Sequence, residues 1–159
     1  MSNETFVYVT YIATTPAQVW KALLEGEITR QYWGGHENVP ESGWKQGSQW
    51  RHVAGDGKGT VRHIGEVLEI VPSKRLVLSW ANPENAGNKS LTTRVALDLE
   101  TVGEMVKLTV THDQLYPEMG RAIGMGWPLV LCSLKSFLET GRPLDIWSGS
   151  SRPCAATQS

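Results

Sequence analysis

Cysteine is nearly missing from this chain: 159 residues hold two, Cys132 inside a helical pattern and Cys154 in a polar stretch. That count and spacing give neither a disulfide framework nor a cysteine metal site, so both read as free thiols. Charge of one sign is missing as well. Fifteen basic and sixteen acidic side chains are interspersed and leave a formal net charge of −1, so no basic stripe exists to neutralise a phosphate backbone, and nucleic acid is excluded as a partner. Long apolar runs are absent too. The longest, Trp127 to Cys132, contains a proline and falls far short of the roughly 20 residues that cross a bilayer, so no membrane span is expected. Met1-Ser-Asn-Glu-Thr has no basic region leading into an apolar one, so no secretory signal is read and a cytoplasmic location is expected. Phenylalanine is scarce, with two residues against seven tryptophans. Indoles bring large surface with a polar edge that needs a partner, which suits the lining of a cavity as well as a core.

What is present is the composition of one soluble globular domain. Hydrophobic residues make up 40% and charged residues 19%, which excludes the disordered class, and 16 glycines spread without a period exclude the fibrous one. Thr5 to Ala13 is dense in β-branched and aromatic residues and predicts a strand. Thr14-Thr-Pro16 then offers an N-cap and a first-turn proline for a helix over 16–24. Glu27 to Trp33 predicts a second short helix, stopped by Gly34-Gly35. The middle of the chain reads as a meander of short strands: Trp44, Ser48–Val53, Thr60–Val71, Arg75–Ala81, Leu91–Glu100 and Met105–His112. Val95, Leu97 and Leu99, then Val106, Leu108 and Val110, alternate with polar residues and predict one buried face. Alternation fails at Val67-Leu-Glu-Ile-Val71, where a bulge or a doubly covered strand is expected. Pro117 to Thr140 predicts the longest helix, with Met119, Ile123, Trp127, Leu131, Leu134 and Leu138 on one stripe and Gly141 as its stop. Gly120, Gly124 and Gly126 thin its first half.

The order strand, two short helices, meander and long C-terminal helix resembles the helix-grip fold of the START-like, birch-pollen-allergen-like superfamily. The wording of several segments is similar to SRPBCC proteins, in the branch of the activator of the heat-shock protein 90 ATPase. These are Ala17-Gln-Val-Trp20-Lys-Ala-Leu23, Thr29-Arg-Gln-Tyr32-Trp33, Gly65-Glu-Val-Leu-Glu-Ile-Val-Pro72 with Arg75-Leu-Val-Leu-Ser-Trp80, and Gly126-Trp127-Pro-Leu-Val-Leu with Leu134 to Gly141. The resemblance covers residues 5–143 and implies an α+β fold in which a curved antiparallel sheet grips the long helix around a cavity. Residues 1–143 then form one START-like domain, and 144–159 a flexible tail holding Trp147. The three helix glycines would widen the space beneath Met119, Ile123 and Trp127.

Candidate ligand-lining residues are Trp33, Trp50, His52, His63, Trp80, Met119, Ile123 and Trp127. His52 alternates with Trp50, and His63 with Val61, so both imidazoles are candidates for cavity hydrogen bonds or for catalysis. Plain core packing of the tryptophans and local satisfaction of the histidines remain the alternatives, and a solvated face is expected for Arg62 and Glu66. His36, His52, His63 and His112 are the only imidazoles, and none forms an i, i+4 metal pair. No metal or cofactor is expected. No nucleophile elbow or phosphate loop occurs, and Gly55-Asp-Gly-Lys-Gly59 reads as a hairpin turn.

The leading expectation is a protein that holds a small hydrophobic or aromatic molecule without a cofactor. The resemblance keeps three others open. They are a polyketide cyclase-like, lyase or hydrolytic enzyme using His52 or His63, a co-chaperone-like module, and enediyne self-resistance by sequestration. A homodimer and a chaperone partner are likewise open.

Overall fold

The computed structural model describes residues 4–146. Strand β1 (Glu4–Ile12) is followed by helices α1 (Pro16–Leu24) and α2 (Gly26–Tyr32). Six strands follow: β2 (Glu37–Pro40), β3 (Gln49–Val53), β4 (Val61–Val71), β5 (Arg75–Trp80), β6 (Thr93–Val102) and β7 (Met105–Leu115). Helix α3 (Pro117–Thr140) closes the fold. The strands make one antiparallel seven-stranded sheet in the order β1-β7-β6-β5-β4-β3-β2, an α+β helix-grip architecture.

Local chemistry explains the boundaries. Thr15 accepts from the Gln18 amide at 3.3 Å and Pro16 occupies the first turn of α1. Gly141 ends α3 in the left-handed region, with φ at 82°. The alternation read in β6 and β7 is seen directly: Val95, Leu97, Leu99, Val106, Leu108 and Val110 are all buried. Met119, Trp127, Leu131 and Leu134 of the α3 stripe are buried against the sheet. Trp44 differs from expectation. It belongs to no strand, and its indole donates to the Leu24 carbonyl at 2.8 Å, while β2 forms earlier, at Glu37–Pro40.

β4 is where the sheet bends. Its first half, Val61–Glu66, pairs with β3, and its second half, Val67–Val71, pairs with β5, with a register slip between Val67 and Glu69. The broken alternation there is therefore a bulge. Gly65 sits at the changeover, where a Cβ would land on the Ser79 carbonyl and 2.6 Å from Trp50 Nε1. After α3, the Leu144 amide donates to Ser133 Oγ at 3.0 Å and Ile146, 2% exposed, joins the core. Those residues open the stretch expected to be a tail. A lone apolar side chain can dock without a periodic pattern, which is the signal the sequence offers. Trp147 and Cys154 lie outside the described residues.

Candidate functional site

Between the bent sheet and the first half of α3 lies a cavity of about 560 Å³, a size that suits a small organic molecule. β3, β4 and β5 contribute His52, His63 and Trp80. α3 contributes Met119, Ala122, Ile123, Gly126, Trp127 and Val130, and the end of α2 brings Trp33 and His36. The exposed Glu84 and Glu118 and the partly buried Arg62 stand among the lining residues nearer solvent. Arg62 therefore does not belong to a purely solvated face, whereas Glu66 is exposed. A strand edge that curls over a cavity gives its outward residues an inner rim.

His52 and His63 are opposite one another in the β3–β4 register, so one pairing delivers both rings to the same wall. His52, 3% exposed, has both nitrogens occupied. Its Nδ1 lies 2.7 Å from Asn38 Oδ1 and its Nε2 lies 3.3 Å from His36 Nδ1. Since the amide oxygen only accepts, the network assigns the His52 proton to Nδ1 and makes His36 Nδ1–H the donor to Nε2. The Asn38 backbone is held by its main-chain N–H donating to Thr29 Oγ1 at 3.3 Å. Burial, and then the neighbouring His63, hold His52 well below the usual imidazole range.

His112, which sequence reasoning did not single out, does not line the cavity but holds the lining Trp127 from behind. It is fully buried and lies at the centre of a closed chain of hydrogen bonds. Trp127 Nε1–H donates to His112 Nδ1 at 3.1 Å, and His112 Nε2 meets Thr93 Oγ1 at 2.7 Å. Thr93 Oγ1 in turn donates to the Trp80 carbonyl at 2.9 Å. An indole can only donate, so Nδ1 carries a lone pair, Nε2 carries the proton, and every polar atom in the chain is used. Burial drives the His112 pKa down to about 3. Its place in the alternating set Val106, Leu108, Val110 was the available signal for an inward ring.

His63 and Trp80 are different. Their rings lie 4.9 Å apart, and His63 Nδ1 and Trp80 Nε1 are buried without a hydrogen-bond partner. An unpaired buried polar atom costs about 1–3 kcal/mol. Burial lowers the His63 pKa to about 3, so this ring too is neutral near pH 7.

Of the candidate residues, Trp33, His52, His63, Trp80, Met119, Ile123 and Trp127 line the cavity. Trp50 does not. It packs behind Trp80 with centroids 5.0 Å apart, and its indole donates to the Ser79 carbonyl at 3.1 Å. The glycines of α3 also divide. Gly126 lines the cavity, and a Cβ there would meet nothing within 4 Å, but Gly120 lies over Glu4 and Gly124 over Phe6. Two of the three therefore face β1 rather than the cavity. Among the described residues, no group of three or more His, Cys, Asp or Glu could hold a metal ion, and no helix is long and apolar enough to cross a membrane.

Structural relatives share this architecture at low identity, which establishes the fold. CalU16 from Micromonospora echinospora is 20% identical, with a TM-score of 0.68 over 87% of this chain and 78% of that one. The Aha1 dimer from Colwellia psychrerythraea is 23% identical, with a TM-score of 0.68 over 87% and 98%. DynU16, a protein of the dynemicin biosynthetic locus, is 20% identical with a TM-score of 0.67, covering 89% of this chain and 50% of its own. No curated protein matches the chain in sequence. The profile of the family described as "Activator of Hsp90 ATPase homolog 1-like protein" matches residues 13–139, from the end of β1 to the end of α3, and the chain belongs to that family.

Proposed function

We propose that the protein binds a small, largely apolar or aromatic molecule in its internal cavity, without a cofactor and without turning the molecule over. The supporting observation is the cavity of about 560 Å³ walled by Trp33, Trp80, Trp127, Met119 and Ile123. Mostly apolar walls with a few placed polar atoms are what such ligands require. The shared fold of DynU16, a protein of the dynemicin biosynthetic locus, fits a ligand-binding role.

Chemistry at this site is the weaker reading. Asn38 orients His52 as a catalytic imidazole is oriented, but His63 at a pKa of about 3 is a poor base near neutral pH, and His52 lies in the same direction. No cysteine or serine is among the described residues that line the cavity. Titration with a fluorescent hydrophobic probe, followed by displacement with a fatty acid or a planar polyketide, tests the proposal. Saturable, displaceable binding to the native protein supports it; no saturable binding to a cooperatively folded sample refutes it. Product formation that disappears in His52→Gln or His63→Gln while the ligand still binds would replace it with the enzymatic reading.

Pairing of two copies, as in the Colwellia dimer, is compatible with this function. Val7, Val9 and Tyr11 are exposed on β1, an edge strand of the sheet, away from the cavity lining. Sedimentation of the wild type against Val9→Lys decides whether that face pairs.

A further inference from the structure

Accepting that the cavity binds a small molecule, we propose that it selects an aromatic ligand bearing a hydroxyl group, and that the hydroxyl oxygen seats against Trp80 Nε1 and His63 Nδ1. Three observations carry this. First, these are the two buried side-chain polar atoms without a partner among the described residues, and they belong to adjacent rings that both line the cavity. Second, other interior indoles are satisfied: Trp44 by the Leu24 carbonyl, Trp50 by the Ser79 carbonyl and Trp127 by His112. An unpartnered Trp80 is therefore a departure from how this fold treats its tryptophans. Third, the imidazoles packed against this pair are committed, since His52, beside His63, and His112, beside Trp80, each use both ring nitrogens.

The atom types then define the ligand. Indole N–H only donates, so the ligand atom must accept. A neutral imidazole Nδ1 either accepts or donates according to its tautomer. A hydroxyl oxygen can accept from Trp80 and either donate to or accept from Nδ1, so it satisfies both atoms in either tautomer. A carbonyl oxygen does so in one tautomer only, and an amine has one lone pair to offer. The surrounding rings Trp33, Trp80 and Trp127 favour a flat aromatic body for the group to sit on.

The test compares 2-naphthol with its isostere 2-methylnaphthalene by isothermal titration of the wild type and of Trp80→Phe. The expected result is binding of 2-naphthol about five- to tenfold tighter, against the trend of hydrophobicity, with the preference falling to within about twofold in the variant. With ¹⁵N-labelled indole in the wild type, the Trp80 Nε1–H signal should move on adding 2-naphthol and not on adding 2-methylnaphthalene. That readout, with His63→Leu as a second variant, stands if Trp80→Phe fails to fold. Equal affinity for the two probes, or a preference that survives in the variants, overturns the hydroxyl proposal and leaves the cavity-binding reading intact. Binding of neither probe overturns both.

Discussion

His112 with Trp127 and His63 with Trp80 are the same two residue types around one cavity. His112 stands behind the lining Trp127 while His63 lines the cavity itself, and both imidazoles are held near a pKa of 3. In the first pair every polar atom is bonded within the protein; in the second, one atom on each ring is buried and bonded to nothing. Residue type therefore does not separate scaffold from recognition here. What separates them is whether the fold itself supplies the partner. The first pair reads as a fixed support for α3 and β5, and the second as a surface with capacity left over.

Acid should break both pairs together and gives the largest expected effect. Above about pH 6.5 folded and unfolded chains both carry neutral imidazoles, and no stability is lost. Below that value the unfolded chain takes up protons that folded His63 and His112 refuse until about pH 3, so stability falls as pH falls. Each contributes about 1.4 kcal/mol per pH unit in that window, or of the order of 4 kcal/mol for the pair between pH 7 and 5, with His52 adding in the same direction. Urea denaturation at pH 7, 6 and 5 measures it; a flat midpoint would show that the rings are not held neutral.

Trp127→Ala attacks the closed pair alone. The side chain is 5% exposed, fills the centre of the α3 stripe and donates to His112. Its removal is expected to lower stability by about 3–5 kcal/mol, and a loss below about 1 kcal/mol would mean that it only borders empty space. The sharpest contrast is between His112→Leu and His63→Leu. The first strands the Trp127 indole and should cost about 1–3 kcal/mol. The second removes an atom that had no partner and should cost clearly less, or stabilise. Equal losses in denaturant unfolding would erase the distinction between the pairs. Smallest is Gly126→Ala, which adds a methyl into open space on a helix. It should stabilise by about 0.5–1 kcal/mol while weakening the binding of any ligand that reaches α3, measured by melting temperature and probe titration.

Much of the fold was legible because its signals are local and repeated. The alternation of β6 and β7, the Thr15 cap, the α3 stripe and the break at Val67 each follow from a period or a turn chemistry that one segment carries by itself. The site was legible in part for the same reason. His52 and His63 could be placed on neighbouring strands, and Trp33, Trp80 and Trp127 could be placed at element ends and centres. Trp50 shows the limit: parity assigns it to the inner face, but only the bend of β4 decides that Trp80 lies between it and the cavity. His36 was unreadable as a lining residue because it follows two glycines, Gly34 and Gly35, both at positive φ, where no period survives. The roles of Asn38 and Thr93 depend on partners 14 and 19 residues away and leave no local trace.

Gly65 has a consequence for how such a protein can diversify. Because a side chain there would strike the Ser79 carbonyl and the Trp50 indole, substitution would unseat the joint between the two halves of β4 rather than adjust the ligand. Position 63, two residues away on the same strand, carries no such restriction, since its ring faces a cavity. Descendants of this chain could therefore acquire new ligands by exchanging the residues at 63 and 80 around an immovable joint at 65. An engineer seeking a different specificity should randomise the former pair and leave the glycine untouched.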